Sequence, residues 1–207
     1  MRSNPFHFEG AYQRSLGRAS SRWVPSVEVL LASSFVAVDF ETANSRSGAS
    51  ACQIALVKVV DGQIIDTFST LLKPPRELNY FVFSDIHGIT GHHVRHAPSW
   101  EQIAQEVSVF VAGLPAYAHN ATFDSKVWRE LDEYFGVRTY PADFYCTYRT
   151  ARKMVSGLQN YKLPTVTKAL APAFRLKHHD ATSDAQACAM IVLALQNRIR
   201  TTEIRFL

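Results

Sequence analysis

The sequence has 207 residues, of which 47% are hydrophobic and 19% are charged, and its formal net charge is +4. This composition predicts a buried core and excludes a globally disordered chain, and the length fits one domain with an extension. The longest apolar stretch, Ala187 to Leu195, is too short for a membrane-spanning helix, which needs about 20 apolar residues. The mild basic charge would help to hold a phosphate backbone, although an ordinary basic surface explains it equally well.

The cysteines and the amino terminus indicate the compartment. Cys52, Cys146 and Cys188 are isolated and odd in number, so they predict neither a disulfide framework nor a zinc site. Arg2 is not followed by an apolar segment, so no secretory signal is expected. A cytoplasmic protein without a membrane anchor is the simplest expectation.

The chain is expected to divide into three segments. Residues 1–33 are a basic extension, partly disordered or helical, with Val24 to Leu31 as the helical candidate. A nucleic-acid-binding arm is one role for its arginines, but a plain extension is the simpler interpretation. Residues 34–200 form the folded domain, and residues 201–207 form a carboxyl-terminal tail.

Three strands are predicted at the start of the domain. Phe35 to Phe40 is typical of a buried strand, and Ala51 to Val60 is the second strand. Asp61-Gly62 is a hairpin turn signal. The third strand runs from Gln63 to Leu72, before Pro74-Pro75. This order predicts an antiparallel meander.

Helices and short strands alternate after the meander, following a short helical turn at Ser84 to His87. Ser99 is the expected cap of the next helix, which opens at Pro98-Ser99-Trp100-Glu101. The later elements are a strand at Ala116 to His119, a helix at Asp124 to Phe135, a strand at Phe144 to Tyr148 running into a helix through Met154, and helices at Leu163 to Leu170 and Ser183 to Ile199. The pattern predicts an α/β fold with a mixed central sheet flanked by helices.

Three short segments, each with carboxylates, follow or end predicted elements. They are D-F-E-T at 39–42, H-N-A-T-F-D at 119–124 and H-D-A-T-S-D at 179–184. Four acids that meet in space need cations, and oxygen ligands of this type suit Mg²⁺ or Mn²⁺. Two such ions can flank a phosphodiester, and a histidine five residues before the last acid is a candidate general base. The segments therefore predict metal-dependent hydrolysis of nucleic acid.

Each acid also has a simpler interpretation. Asp39 and Glu41 share one face of a strand because strand side chains repeat every two residues, but acids at strand ends are common. Asp124 and Asp184 stand where acids favour helix amino termini. Capping does not explain why all three segments occur together in this order.

The ordered set resembles the DEDD superfamily of 3′–5′ exonucleases, in the branch that uses histidine. That branch includes the proofreading epsilon subunit of bacterial DNA polymerase III and ribonuclease T. The resemblance covers about residues 34–197 and rests on D-F-E-T, H-N-A-x-F-D and H-x-x-x-x-D. The tyrosine branch would need a tyrosine at position 180, where this chain has Asp180.

The resemblance implies a ribonuclease H-like fold and a role for five residues. Asp39, Glu41, Asp124 and Asp184 would hold two Mg²⁺ ions, with Asp39 shared between them and Mn²⁺ able to substitute. His179 would take the proton from the attacking water. The products would be nucleoside 5′-monophosphates.

The resemblance also implies contacts to the terminal nucleotide. Thr42 and Ala43 would lie beside the 3′-hydroxyl, and Ile89 would stack on the terminal base. Core packing is the alternative role for Ile89 and for Phe123. The full set of expected substrate contacts is Thr42, Ala43, His87, Gly88, Ile89, Asn120 and Phe123.

Other polar residues could have functional roles, but ordinary structural roles also explain them. Three histidines in a loop resemble a metal-binding cluster, but they are more simply interpreted as solvent-exposed side chains. They are His92, His93 and His96. His119 is expected either to support the site residues from behind or to pack in the core. The spacing of His178 to Asp184 is one residue too long for the general base. Basic and aromatic residues on one segment could contact a nucleic-acid strand, or they could form a helix face with extended basic side chains. They are Tyr145, Tyr148, Arg149, Arg152 and Lys153.

The predicted function is a 3′–5′ exonuclease that acts on single-stranded 3′ ends, with DNA favoured over RNA. An RNA-trimming or oligonucleotide-clearing enzyme on the same site is one alternative. A non-catalytic nucleic-acid-binding subunit is another, although the presence of all five expected catalytic residues counts against it. The sequence indicates no particular polymerase or repair partner.

Overall fold

A computed structural model describes residues 22–204, with side chains described as far as Thr201. Residues 1–21 and 205–207 lie outside the described residues, so most of the predicted basic extension is not placed. The strands are β1 (Phe35–Thr42), β2 (Ala51–Val60), β3 (Gln63–Leu71), β4 (Ala116–Ala118) and β5 (Phe144–Cys146). The helices are α1 (Val27–Leu31), α2 (Ser84–His87), α3 (Trp100–Val111), α4 (Ala121–Phe135), α5 (Thr147–Met154), α6 (Leu163–Leu170) and α7 (Ala181–Ile204).

The five strands form one mixed sheet in the order β3-β2-β1-β4-β5. β1 pairs antiparallel with β2, and β2 with β3, which confirms the predicted meander. Asp61 and Gly62 join β2 to β3 with φ values of 50° and 75°, the left-handed conformations that a two-residue hairpin turn requires. β4 is parallel to β1 and β5 is parallel to β4. The predicted fold class, a mixed sheet flanked by helices, is therefore confirmed.

The two helices that carry the later acids begin earlier than predicted. α4 begins at Ala121, so Asp124 lies in its first turn. α7 begins at Ala181 because the Asp180 carboxylate accepts the Ser183 backbone N–H at 3.1 Å and caps the helix. Asp184 is therefore not the cap and keeps its carboxylate for other contacts.

Residues before the predicted domain boundary at residue 33 also pack on the folded domain. Leu30 of α1 is buried, and the side-chain amide of Gln196 donates to the carbonyl oxygens of Leu30 and Ala32 at 2.8 and 2.9 Å. The carbonyl of Trp23 accepts the Cys146 N–H at the edge of β5. At the other end, α7 includes residues 201–204 of the predicted tail. Buried apolar side chains, which composition alone does not locate, explain the difference at the amino terminus.

Side-chain alternation along β1 divides the core into two layers. Val36, Val38 and Phe40 pack with residues of α3 and α4, whereas Phe35 and Ala37 pack with residues of α7. Because side chains alternate between the faces of a strand, Asp39 and Glu41 continue the face that is turned to α7. The fold thus directs two acids of β1 toward the helix that carries Asp184. No described helix is long and apolar enough to cross a bilayer.

Candidate active site

The predicted acids converge at the end of β1. A pocket of about 390 Å³ is lined by Asp39, Glu41 and Asp184 together with His179. Each of these three acids offers an oxygen that lies within 4.8 Å of the other two. Asp124 is buried behind them, where its Oδ1 accepts the Phe40 backbone N–H at 3.2 Å. The structure therefore brings together all five residues that the motifs single out.

Burial and mutual repulsion make this group of acids difficult to ionise. Burial is the largest cause of the raised pKa of Asp39, followed by the charges of Asp124, Asp184 and Glu41. Burial raises the pKa of Glu41 to about 8, helped by the charges of Asp184 and Asp124. Burial also raises the pKa of Asp124 to about 8 against the opposing hydrogen bond from Phe40. A bound cation would relieve the repulsion and allow all of them to ionise.

Asp184 shows that the pocket fits a cation with oxygen ligands. The pKa of its carboxyl is raised, chiefly by burial. Its Oδ2 accepts the His179 backbone N–H at 3.0 Å and lies 2.9 Å from Nδ1 of His178. Its Oδ1 is buried and has no hydrogen-bond partner among the residues that the structure describes. A buried, unpartnered carboxylate oxygen beside two other carboxylates is suited to a divalent metal ion.

The two adjacent histidines both reach the site. Burial lowers the pKa of His179, with the charge of His178 as the next cause, so the ring is neutral near pH 7. Its side chain makes no hydrogen bond to the described part of the chain, so a ring nitrogen is available to take a proton. The spacing argument gave His178 no role, yet its ring contacts Asp184. Spacing cannot detect this contact because it depends on the backbone turn at His179.

His119 is a half-buried, neutral ring with both nitrogens occupied. One nitrogen, Nε2, donates to the carbonyl of Tyr161 at 2.9 Å, so Nδ1 accepts from the hydroxyl of Thr147 at 2.9 Å. Burial lowers the pKa of His119 to about 4. The ring packs edge-on against Tyr148. His119 is therefore a packing residue in the pocket wall, as the sequence predicts.

The predicted substrate contacts divide into two sets. Asn120 and Phe123 line the pocket, and Phe123 is 41% exposed, as a base-contacting ring requires. Ile89 is 7% exposed and packs in a small core cluster with Ala43, so it occupies the alternative, core position. The remaining contacts lie beside the pocket without lining it: Thr42, Ala43, His87 and Gly88.

His87 links this neighbouring segment to the strand that carries the first acids. Its Nε2 lies 3.1 Å from the carbonyl oxygen of Thr42, and its Nδ1 accepts the Ile89 N–H at 3.0 Å. Gly88 ends α2 with a φ of 76°, which favours glycine. The segment thus supports the end of β1 from outside the pocket.

The structure adds three pocket residues that are not among the predicted site residues. Lys162 and Leu163 line the wall at the start of α6, and Tyr148 lines it from α5. Leu163 and Val166 belong to the core cluster around α7, which brings α6 to the acids. Tyr148 was weighed as part of a nucleic-acid path, whereas Lys162 belongs to no motif. Only the packing of α6 on α7 reveals it.

The loop histidines stay apart from the site. His92 and His93 are exposed, and the backbone N–H of Thr90 donates to Nδ1 of His93. The potential metal-ligand groups among residues 22–201 do not include them. Solvated side chains, the simpler interpretation of this cluster, agree with that exposure.

Comparisons with known proteins also indicate an exonuclease. A family model described as Exonuclease, RNase_T, matches residues 36–192. The chain is 30% identical over 182 residues to a DNA polymerase III PolC-type of Caldanaerobacter subterraneus, covering 86% of this chain and 13% of that protein. It is 28% identical over 171 residues to the 3′-5′ exonuclease DinG of Bacillus subtilis, covering 80% of this chain and 18% of that protein. The chain thus spans less than a fifth of either relative.

Solved structures share the fold. Exonuclease X in complex with 5′ overhanging duplex DNA is 26% identical with a TM-score of 0.63, covering 79% of this chain and 92% of that one. A 3′-exonuclease that recognises a histone mRNA stem-loop is 15% identical with a TM-score of 0.66, covering 80% and 82%. The second likeness concerns the fold alone.

Proposed function

The chain belongs to the RNase_T family of exonucleases, and we propose on this basis that it removes nucleotides from 3′ ends of nucleic acid and releases nucleoside 5′-monophosphates. The family and the exonuclease class that the motifs predicted are thereby confirmed. The convergence of Asp39, Glu41 and Asp184 on one pocket is the observation that carries the proposal. Two half-buried acids beside the buried Asp184 are costly to ionise unless cations neutralise them.

The four acids are proposed to hold two Mg²⁺ ions, for which Mn²⁺ can substitute. When bound, these cations would stabilise the charge that develops on the attacking and leaving oxygens of the phosphodiester. Asp39 is the proposed shared ligand, because its carboxyl is repelled by each of the other three acids. Asp124 is fixed by the Phe40 N–H, so one of its oxygens is already positioned.

His179 is the proposed general base. Its lowered pKa keeps the ring neutral at neutral pH, so a nitrogen lone pair can take the proton of the attacking water. Asp184 accepts the backbone N–H of the same residue at 3.0 Å. The position of the base is therefore tied to an acid of the pocket.

The pocket wall supplies complementary contacts for a nucleotide. Phe123 presents an exposed ring on which a terminal base can stack, and Asn120 offers hydrogen-bonding groups beside it. Lys162 is a cation in the pocket that also holds three acids, and it makes no ion pair with the described acids. We assign to Lys162 the phosphate of the nucleotide chain that lies next to the acids.

DNA is proposed as the preferred substrate, and the cytoplasm as the compartment. The names of the PolC-type relatives and the duplex DNA in the Exonuclease X structure support DNA. Cys52, Cys146 and Cys188 are free and buried, which suits a reducing compartment. RNA trimming on the same site is the second candidate, because the same acids and metal ions can act on a phosphodiester of DNA or of RNA.

The proposal is tested with matched single-stranded DNA, single-stranded RNA and duplex substrates labelled at the 5′ end. Successive shortening from the 3′ end in Mg²⁺, abolished by EDTA, is expected. A 3′-phosphate should block cleavage, because added negative charge meets the acids, while a 5′-phosphate should not. Cutting of a circular single strand at an equal rate would show an endonuclease instead. Faster degradation of RNA would favour the second candidate.

A further inference from the structure

His178 and His179 point to the same side of the chain although they are neighbours. Adjacent residues in extended backbone direct their side chains to opposite faces. His179 instead has a φ of 67°, a left-handed conformation that is uncommon for a residue other than glycine. The two imidazole rings stack at a centroid distance of 3.9 Å with an interplanar angle of 22°. The turn thus places two imidazoles side by side at the pocket.

A carboxylate completes this pair. His178, His179 and Asp184 each offer a ligand atom that lies within 4.8 Å of the other two. Asp184 is 4% exposed, and its Oδ1 has no hydrogen-bond partner within the described part of the chain. The side chain of His178 is 40% exposed, so its ring can rotate to close the group around an ion.

The chemistry of this group differs from that of the four acids. Imidazole nitrogens suit Zn²⁺, Cu²⁺ and Ni²⁺, whereas Mg²⁺ takes oxygen ligands. Two histidines and one carboxylate with a free fourth position are a common ligand set for Zn²⁺. Asp184 belongs to both groups, so an ion held by the histidines competes with the arrangement needed for hydrolysis.

We propose that His178, His179 and Asp184 form a binding site for a transition-metal ion, best suited to Zn²⁺, and that its occupation inhibits the enzyme. The inhibition rests on the proposed function, because a bound ion removes His179 from proton transfer and Asp184 from the four-acid group. The binding of Zn²⁺ does not depend on that function.

The binding is tested by calorimetric titration of Zn²⁺ into EDTA-treated and dialysed protein. His178→Asn is the informative variant. The asparagine amide can donate a hydrogen bond to Asp184 from the position that Nδ1 of His178 occupies, but it is a poor zinc ligand. Its Zn²⁺ affinity should fall more than about tenfold, since the loss of an outer-shell partner alone costs about 10–100-fold. His93→Asn is the matched control, because His92 and His93 are also adjacent but have rings 6.2 Å apart. Equal affinity in wild type and His178→Asn would overturn the site.

Inhibition is measured as the ratio of Mg²⁺-supported rates with and without micromolar Zn²⁺, so that each variant is its own reference. Wild type and His93→Asn should lose activity at the same Zn²⁺ concentration, and His178→Asn should need more than about ten times as much. Zn²⁺ binding without inhibition would overturn the regulatory part. If no variant hydrolyses any substrate, the proposed function fails, and the calorimetric comparison still decides the site.

Discussion

Asp124 accepts a hydrogen bond from the backbone N–H of Phe40, 84 positions earlier in the chain, at 3.2 Å between Oδ1 and N. Phe40 lies between Asp39 and Glu41 on β1, so this contact fastens the first turn of α4 to the strand that carries the first two acids. The contact is buried and therefore strong, and it holds a third carboxylate against the pair. Several properties of the site follow from this enforced proximity.

Asp39→Asn is expected to separate catalysis from stability. Hydrolysis in Mg²⁺ should fall by several orders of magnitude because Asp39 is the proposed shared metal ligand. The metal-free protein should melt at a higher temperature, because a charge repelled by three other acids is removed. Thermal unfolding in EDTA and a single-strand degradation assay measure the two effects. Asp66→Asn, at an exposed position of β3, is the control and should change neither activity nor melting temperature. Near-normal activity of Asp39→Asn would contradict its assignment as a metal ligand.

The stability of the metal-free protein should fall as the pH rises. The pKa of Glu41 is raised from 4.5 to about 8 and that of Asp124 from 3.8 to about 8, so the folded state binds more protons than the unfolded state between these values. The stabilisation is complete below about pH 4 and is lost as the pH passes through about 8. Urea unfolding in EDTA at pH 5 and pH 9 measures this loss. Mg²⁺ should restore stability at pH 9, and a flat profile without metal would count against the raised pKa values.

His179→Ala and His178→Ala should affect turnover unequally. His179 is the proposed general base, and loss of a general base costs about 10²–10⁴-fold, so His179→Ala should lose that much while Mg²⁺ binding persists. His178→Ala should lose far less, because Asp184 keeps the His179 backbone N–H as a partner. In wild type the rate should rise with pH through the pKa of His179, which burial places below its ordinary value. An inactive His178→Ala beside an active His179→Ala would reverse the assignment.

Lys162→Gln should weaken substrate binding more than turnover. The lysine lines the pocket, and removal of one phosphate contact should raise KM and reduce the salt slope of binding by about 1. Lys168→Gln, an exposed position on the same helix, is the matched control. Steady-state kinetics at several salt concentrations compare the two variants. Equal behaviour of both would show that Lys162 does not contact phosphate.

Gln196→Leu should lower the melting temperature by releasing α1. Its amide donates to two carbonyl oxygens near the end of α1, and Gln196 is 1% exposed. Each buried group left without a partner costs about 1–3 kcal/mol. Deletion of residues 1–33 should destabilise the protein further, because it removes the buried Leu30. Gln105→Leu, at an exposed position of α3, is the control and should change the melting temperature little. An unchanged melting temperature for both the deletion and Gln196→Leu would show that α1 does not contribute to stability.

The sequence by itself predicted the positions of several elements and the acids that the structure brings together at the end of β1. Periodicity and turn signals located β2, the Asp61-Gly62 hairpin and α6 correctly, because short-range backbone preferences decide such features. The spacing of the three acidic segments indicated which carboxylates belong together, because alternation along β1 fixes the face of Asp39 and Glu41.

Tertiary structure alone decided which further side chains join the acids. Lys162 reaches the pocket because α6 packs on α7, and no local pattern records that contact. His178 reaches Asp184 because a single left-handed residue reverses the usual direction of neighbouring side chains. Leu30 is buried in the apolar cluster around α7, and the amide of Gln196, 166 positions away, donates to its carbonyl oxygen. These contacts join residues far apart in the chain or depend on one backbone angle, whereas sequence patterns report preferences averaged over a helix or a strand.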